Sequence, residues 1–170
     1  MTAKLPETPE SLLARLAAAG IAAETRYHPP VFTVAESRAL RGELPGGHTK
    51  NLFLKPAKGP GPFLLATLEE DRQVSVNALA RLAGAGKVTM ASAEDLRATL
   101  GVPPGAVTPL GLVNAAPGAV RFAIDRHLVN GFDRIWVHPL TNAASTGLAP
   151  SDLLAFLAGL GHPVTLLDLP

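Results

Sequence analysis

Short apolar stretches alternate along the chain with breaks rich in glycine and proline. Near the start, apolar residues recur at the spacing of one helical face: Leu12, Leu13 and Leu16. Thr8 is a suitable N-cap, Pro9 fits the first helical position, and Gly20 fits a C-terminal stop. The pattern therefore predicts an amphipathic helix that begins after Thr8 and ends before Gly20.

Later apolar stretches are shorter, which is typical of strands. Lys50–Lys55 and Phe63–Leu68 are predicted to be neighbouring buried strands joined by a turn at Pro60–Pro62. Further short strands are predicted at Val88–Met90, Val120–Ile124, Arg134–Val137 and Val164–Leu167. The proline-containing loop Val102–Gly105 is rigid, and it leads into a segment predicted to be extended, Val107–Val113.

Capping residues mark the remaining helices. Helices are predicted from Thr33 to about Leu40, from Ser75 to Ala83, from Ser92 to Leu100 and from Ala149 to Gly161. Helices thus alternate with strands, and neither an internal repeat nor a linker divides the chain. We predict an α/β (α+β) fold in which residues 1–170 form a single domain with a mixed β-sheet flanked by helices.

The composition narrows the class of protein. Of the 170 residues, 47% are hydrophobic and 17% charged, which excludes a disordered chain, and 16 glycines with 16 prolines exclude a long coiled coil. No apolar run approaches the roughly 18 residues of a membrane-spanning helix, and the start lacks the apolar stretch of a secretory signal. The chain has no cysteine, which excludes disulfides and thiol nucleophiles and fits a cytoplasmic protein. We therefore expect a cytoplasmic protein, and we expect no membrane partner.

Positive charge is concentrated in one stretch, although the net charge is only +1. Between Arg26 and Lys58 there are six basic residues and two acidic ones. The basic residues are Arg26, Arg38, Arg41, Lys50, Lys55 and Lys58, and the acidic ones are Glu36 and Glu43. A local basic face could bind a few phosphates, and each such contact would add salt-dependent affinity. The alternative is a solvated basic surface without a ligand.

Three polar segments rich in glycine and threonine lie between the predicted strands: Gly46–Asn51, Gly105–Gly111 and His138–Gly147. They contain no acidic residue, which disfavours a metal-bound water or a pair of catalytic carboxylates. The five histidines show no metal-binding spacing, so neither a metal site nor a cofactor is expected. Backbone N–H groups, hydroxyls and the cation of Lys50 instead suit a pocket for an anionic or ester substrate. Alternatively, Gly46–Gly47 is only a turn, Lys50 ends a strand and His138 caps one.

These segments, in this order and spacing, resemble a known family. The segments that carry the resemblance are His48-Thr-Lys-Asn-Leu-Phe-Leu-Lys55, Gly105-Ala-Val-Thr-Pro109 and His138-Pro-Leu-Thr-Asn142, followed by Leu148-Ala-Pro150. They are similar to the YbaK-type aminoacyl-tRNA deacylases, which are related to the editing domain inserted in bacterial prolyl-tRNA synthetase. The most similar branch is the freestanding prolyl-tRNA editing proteins that hydrolyse alanyl-tRNA(Pro). The resemblance spans about Ile21 to Leu160 and implies a mixed or barrel-like sheet core flanked by helices.

The resemblance also implies the site residues. Lys50 matches the essential lysine of the family and Gly105 begins its Gly-x-x-x-Pro loop, so both are predicted to be catalytic. The residues predicted to bind the substrate are Thr49, Asn51, Ala106, Val107, Thr108, Pro109 and His138. Two positions depart from the family pattern. Leu110 stands where phenylalanine is frequent, which concerns pocket shape, and Ala149 stands where a serine often caps the last helix, which concerns stability.

The activity implied by the resemblance is trans-editing, in which the ester of mischarged tRNA(Pro), foremost Ala-tRNA(Pro), is hydrolysed to free amino acid and tRNA. The implied partners are the acceptor end of tRNA(Pro) and a prolyl-tRNA synthetase, and a monomer or weak homodimer is expected. Two alternatives stay open: the same chemistry on Cys-, Ser- or Thr-tRNA, and a tRNA- or synthetase-binding module without catalysis. It is also open whether Lys50 acts on a phosphate, on the ribose or on the reacting ester.

Overall fold

The computed structural model describes residues 5–30, 36, 39 and 44–170. The helices within these residues are α1 (Pro9–Ala18), α2 (Val76–Leu82), α3 (Ala93–Leu100), α4 (Arg126–Asn130) and α5 (Pro150–Gly159), and Pro109–Asn114 forms a 3₁₀ helix. The strands are β1 (Glu24–Tyr27), β2 (Gly47–Pro56), β3 (Phe63–Glu69), β4 (Val88–Met90), β5 (Val120–Asp125), β6 (Ile135–Val137), β7 (Ala144–Leu148) and β8 (Val164–Leu167). Of the helix predicted from Thr33 to about Leu40, all residues except 36 and 39 lie outside the described residues.

The helix boundaries follow from capping residues in the sequence. Thr8 Oγ1 accepts a hydrogen bond from Ser11 N at 3.1 Å at the start of α1. Ser92 and Asp95 form a reciprocal capping box on α3, and Gly101 ends that helix in the left-handed conformation with φ 70°. The helices predicted after Thr8, Ser75, Ser92 and Ala149 are all confirmed. In the described part of the chain, no helix is long and apolar enough to cross a membrane.

The strands form a mixed sheet in the order β1-β7-β6-β2-β3-β5-β8, and β4 pairs with the far end of β2. The pairs β1–β7, β6–β7, β2–β3 and β2–β4 are antiparallel, whereas β2–β6, β3–β5 and β5–β8 are parallel. The central pair aligns Lys50 with Leu68 and Leu54 with Leu64. The predicted mixed sheet flanked by helices is therefore confirmed.

The two faces of the sheet bury different cores because side chains alternate along each strand. The main core contains Phe53, Leu65 and Phe122 from one face, together with residues of α1, α3 and α5. The second core contains Leu54 and Leu68 from the opposite face, together with residues of α2. Each of these five side chains is at most 2% exposed, and the full burial of one such side chain contributes about 1.5–3 kcal/mol.

The predicted extended segment Val107–Val113 is wrong, because its central part is a 3₁₀ helix. Thr108 Oγ1 accepts a hydrogen bond from Leu110 N at 3.2 Å, and the Thr108 carbonyl accepts one from Gly111 N at 3.1 Å. Pro109 suits the first position of the helix because its φ is already fixed. Residues 108–112 are all buried. A helical segment that is buried on every side has the same continuous apolar sequence as a buried strand, so the sequence pattern does not distinguish the two.

Three elements are absent from the sequence prediction: β1, β7 and α4. Strand β7 consists of Ala-Ser-Thr-Gly-Leu, a polar sequence that is typical of a loop. All five of its residues are nevertheless buried, because β7 lies between β1 and β6. Tertiary packing therefore decides the structure of this segment against its local preference.

Candidate functional site

The first polar segment lies beside the strand that leads into the third. β2 runs parallel to β6, with His48 opposite Trp136. Thr49 Oγ1 donates a hydrogen bond to the Trp136 carbonyl at 2.7 Å. Because His138 directly follows β6, the same register continued past the strand end places Lys50 level with His138.

The second segment meets the third at Gly105. This glycine has a φ of 92°, in the left-handed region that favours glycine. A Cβ added to Gly105 would lie 3.3 Å from Asn142 Nδ2, so the Asn142 side chain rests against the glycine. The third segment thus contacts the second at Gly105, and it begins directly after the strand that pairs with the first.

The alternation of β2 separates the predicted site residues on this strand. Asn51 Oδ1 accepts a hydrogen bond from Thr67 Oγ1 at 2.6 Å, and Asn51 and Thr49 lie on the same face as Phe53 of the main core. Lys50 lies on the opposite face with Leu54 of the second core. Lys50 is half-buried there, at the edge of an apolar surface.

Lys50 binds a loop that is fixed in place by the ion pair between Arg72 and the buried Asp125. Its ammonium group donates a hydrogen bond to the Arg72 carbonyl, between β3 and α2. The Arg72 guanidinium contacts Asp125 through Nε–Oδ2 at 3.0 Å and Nη2–Oδ1 at 3.4 Å. Asp125 is 1% exposed and also accepts from Glu69 N at 3.2 Å and His127 N at 3.0 Å. These contacts join the end of β3 and the start of α4 to the loop that carries the Lys50 partner.

A second polar group lies on the same sheet face as Lys50, at His138. β6 and β7 pair Val137 with Thr146, so the register continued by one residue places His138 opposite Ser145. His28 Nε2 lies 2.9 Å from Ser145 Oγ, and its Nδ1 lies 2.9 Å from the Pro29 carbonyl. A carbonyl only accepts, so Nδ1 carries the proton, and in the neutral ring Nε2 accepts from the Ser145 hydroxyl.

His138 is held in its neutral form. Its Nδ1 lies 3.0 Å from the Ala144 carbonyl, which fixes the orientation of the ring. Burial lowers the pKa of His138 below its usual value, and the nearby His28 lowers it further, against the opposing effect of the Ala144 carbonyl. The site therefore combines a lysine cation with a neutral imidazole.

The remaining residues of the Gly105 loop are mostly packed into the main core. Ala106 and Thr108 are fully buried, Pro109 is buried and Val107 is half-buried against the core. Leu110 is also fully buried. The role of these side chains in binding a substrate stays a prediction. Ala149 is the other position that departs from the family pattern, and it precedes α5 without a capping hydrogen bond from its side chain.

The basic stretch is only partly described, because Arg38 and Arg41 lie outside the described residues. Arg26 pairs with Glu24 at 2.6 Å, and Lys55 approaches Asp95 at 3.8 Å. Lys58 is exposed. Exposed ion pairs of this kind contribute little, about 0–1 kcal/mol, so these side chains can exchange their partners for phosphates. Phosphate binding by this stretch stays a prediction.

The other histidines have structural partners. His48 Nε2 lies 2.7 Å from the Leu44 carbonyl, and His162 Nε2 lies 3.2 Å from the Ala115 carbonyl. His127 contacts the Phe132 ring edge-on, with 5.3 Å between the ring centroids. Within residues 5–30, 36, 39 and 44–170, no group of three metal-ligating side chains comes together.

Several residues of this site were not identified from the sequence. Asp125 has a local signal, because an aspartate directly before a short helix is a common N-cap. Arg72, Ser145, His28 and Asn142 carry no such signal, because their roles depend on contacts between distant parts of the chain.

Comparison with known proteins identifies the relatives of this chain. Residues 28–156 match the family model described as aminoacyl-tRNA editing domain. The chain is 40% identical over 157 residues to prolyl-tRNA synthetase associated domain-containing protein 1 of Bos taurus, covering 91% of each protein. It is 31% identical over 142 residues to the prolyl-tRNA editing protein ProX of Acetoanaerobium sticklandii, covering 84% of this chain and 85% of that protein.

A solved structure shows the same fold. "Crystal structure of a putative trans-editing enzyme for prolyl tRNA synthetase" aligns with a TM-score of 0.71 and 24% identity, over 98% of this chain and 100% of that one. At this identity the structural likeness concerns the fold alone.

Proposed function

This chain belongs to the aminoacyl-tRNA editing domain family, and from that premise we propose that it is a trans-editing hydrolase for mischarged tRNA(Pro). Its foremost substrate is Ala-tRNA(Pro), which it cleaves to alanine and tRNA. The whole of residues 1–170 forms the editing domain. It works in the cytoplasm as a monomer or weak homodimer, on the acceptor end of the tRNA and in the service of a prolyl-tRNA synthetase.

The observation that carries this proposal is the position of Lys50. Its ammonium is held at the edge of an apolar surface by a loop that the Arg72–Asp125 ion pair anchors. A fixed cation beside the neutral His138 suits the terminal adenosine of a tRNA, whose phosphate is an anion and whose ribose offers hydroxyls. Lys50 therefore positions the nucleotide and not the amino acid.

The chemistry of ester hydrolysis fits a site whose polar segments contain no acid. An aminoacyl ester is an activated substrate, and the ribose hydroxyl beside it can orient the attacking water. The protein then has to stabilise the negative charge that develops on the carbonyl oxygen. We assign this role to the Gly105 N–H, because a glycine lets the substrate approach the backbone closely.

Selection of alanine over proline is a steric problem. A synthetase built for proline cannot strongly reject the smaller alanine, because lost methylene contacts give only about 10–200-fold discrimination. A second pocket that is too small for the pyrrolidine ring corrects such errors. Ala106, a fully buried residue of the Gly105 loop, sets the depth of this pocket in our proposal.

Two alternatives differ in what the site does. The same hydrolysis could act on Cys-, Ser- or Thr-tRNA, because none of these side chains closes a ring onto the amino nitrogen as that of proline does. A non-catalytic module that binds tRNA or a synthetase is suggested by the relatives described as prolyl-tRNA synthetase associated domain-containing proteins. The anchored Lys50 favours catalysis over the second alternative.

The test is to offer the purified protein a panel of aminoacyl-tRNAs and to measure kcat/KM for each. We expect Ala-tRNA(Pro) to be hydrolysed and Pro-tRNA(Pro) to survive. Ala106→Val should lower activity on Ala-tRNA(Pro), because added methyl groups in a closed site cost about 1–3 kcal/mol. Ala66→Val, which adds the same methyl groups at a fully buried position of the second core, is the matched control and should leave selectivity unchanged. A protein that hydrolyses no member of the panel is a binding module.

A further inference from the structure

Asn142 lies where the second and third polar segments meet. A Cβ on Gly105 would lie 3.3 Å from Asn142 Nδ2, which is closer than ordinary van der Waals contact. The amide group of Asn142 can occupy this position because residue 105 has no side chain. The Asn142 N–H groups and the Gly105 backbone are therefore next to each other.

The turn that carries Asn142 is held in an uncommon conformation. Leu140 has a φ of 65°, and among the described residues it is the sole non-glycine residue with a positive φ. Such a conformation costs about 1–3 kcal/mol and is found mostly where a site requires it. Thr141 Oγ1 accepts a hydrogen bond from Ala143 N at 3.2 Å, and the Ala144 carbonyl binds His138 Nδ1 at 3.0 Å. The backbone on both sides of Asn142 is thus fixed.

The donors at this point are not used by the rest of the protein. Neither the Gly105 N–H nor the Asn142 side chain makes a hydrogen bond to any residue that the structure describes. Asn142 is half-buried, so its amide is partly removed from water without a protein partner. Two neighbouring N–H donors without a protein partner are what an oxyanion in an acyl-transfer site requires.

We propose that Asn142 is a catalytic residue that donates a hydrogen bond to the carbonyl oxygen of the substrate ester, as the second donor of an oxyanion hole whose first donor is the Gly105 N–H. This inference rests on the proposed hydrolysis. Water adds to the carbonyl carbon and loses a proton, and the carbonyl oxygen becomes the oxyanion. The C–O bond to the ribose then breaks, the ribose oxygen takes up the proton that the water lost, and the acid so formed releases its remaining proton to solvent and leaves as the carboxylate. Both donors act most strongly while the charge is on the carbonyl oxygen.

The experiment compares kcat, KM and Tm of the wild-type protein with those of Asn142→Ala and Asn142→Asp on Ala-tRNA(Pro). Loss of one oxyanion donor should lower kcat by about 10²–10³-fold while KM stays nearly constant. Asn142→Asp keeps the shape of the side chain but replaces the donor with an anion, so its kcat should fall at least as far. Neither variant should lower Tm strongly, because Asn142 has no hydrogen bond to lose within the described residues.

Asn114 supplies the matched control. Its Oδ1 accepts from Glu7 N at 2.8 Å and its Nδ2 donates to the Leu100 carbonyl at 2.9 Å, so its role is structural. Asn114→Ala should therefore lower Tm and leave kcat unchanged. A kcat of Asn142→Ala within a few-fold of wild type, or a loss that appears in KM or Tm instead, overturns the role of Asn142 while the hydrolase assignment stands. If the wild-type protein hydrolyses no aminoacyl-tRNA, the proposed function fails and this inference fails with it.

Discussion

The two halves of the site are built in different ways. One half lies on strands, where Lys50, His138 and Ser145 are placed by the registers of β2, β6 and β7. The other half lies on turns, where Gly105 and Leu140 adopt left-handed backbone conformations with φ of 92° and 65°. In the first half the backbone position is independent of the side chain, because ladder hydrogen bonds determine it. In the second half the residue type and the backbone conformation depend on each other.

This difference predicts how each half responds to substitution. Truncation of a side chain on the strand half should remove chemistry and leave the fold intact. Addition of a single carbon on the turn half should disturb both the backbone and the adjacent Asn142. Activity and stability should therefore separate in the first half and change together in the second.

The largest effect is expected at Lys50. Lys50→Ala removes the cation that positions the nucleotide, and we expect kcat/KM on Ala-tRNA(Pro) to fall by at least about 10²-fold, in the range found when a positioned charge is lost. Thermal unfolding should be almost unchanged, because Lys50 is only half-buried and its ladder partner Leu68 keeps its burial. Lys87→Ala, which removes an exposed lysine outside the basic stretch, is the control and should retain nearly full turnover. Near-wild-type turnover in Lys50→Ala would refute the assignment of Lys50.

A smaller, mixed effect is expected at Gly105. Gly105→Ala places a Cβ at a φ of 92°, 3.3 Å from Asn142 Nδ2, and it should lower stability by about 1 kcal/mol and reduce kcat as well. Gly118→Ala is the matched control, since Gly118 has a φ of 85° and a Cβ added there would meet nothing within 4 Å. The control should show the stability loss without the loss of turnover. Equal turnover in both variants would contradict the position of Gly105 in the site.

Most of the strand half could be predicted from the sequence. The strands at Lys50–Lys55 and Phe63–Leu68 have strong apolar runs with turn residues between them, and both are confirmed. The pairing of β2 with β6 could not be predicted, because these parallel strands are far apart in the sequence and no short turn connects them. The placement of Lys50 and His138 in one site was therefore predicted from the family resemblance and not from periodicity.

The turn half was harder to predict for a different reason. The conformation of Leu140 has no sequence signature, because leucine does not favour a positive φ. The segment after Gly105 has an apolar run that fits a strand and a buried 3₁₀ helix equally well, and the hydrogen bonds of Thr108 to Leu110 and Gly111 decide between them. The Asn142 contact also depends on a glycine in another segment of the chain. Local patterns do not contain such contacts.

The smallest effect concerns the pH dependence of stability at His138. Burial lowers the pKa of His138 below the usual 6.5, so in the folded protein this ring resists protonation. Below pH 6.5 the unfolded chain binds a proton that the folded chain does not, and the free energy of unfolding should decrease as pH falls. One proton accounts for at most about 1.4 kcal/mol per pH unit, so the contribution is modest. The nearby His28 adds to it, because it further lowers the pKa of His138.

His138→Gln should remove this part of the pH dependence, because glutamine does not titrate. The measurement is the free energy of unfolding from urea titrations at pH 7.5 and pH 5.5. The loss between the two pH values should be smaller in His138→Gln than in the wild-type protein. His127→Gln, at an exposed histidine, is the control and should leave the loss nearly as large as in the wild-type protein. If His138→Gln and His127→Gln lose stability equally over this range, His138 is protonated as readily in the folded chain as in the unfolded one. Under mildly acidic conditions the strand half of the site would then contain two cations, Lys50 and His138. The turn half would remain neutral.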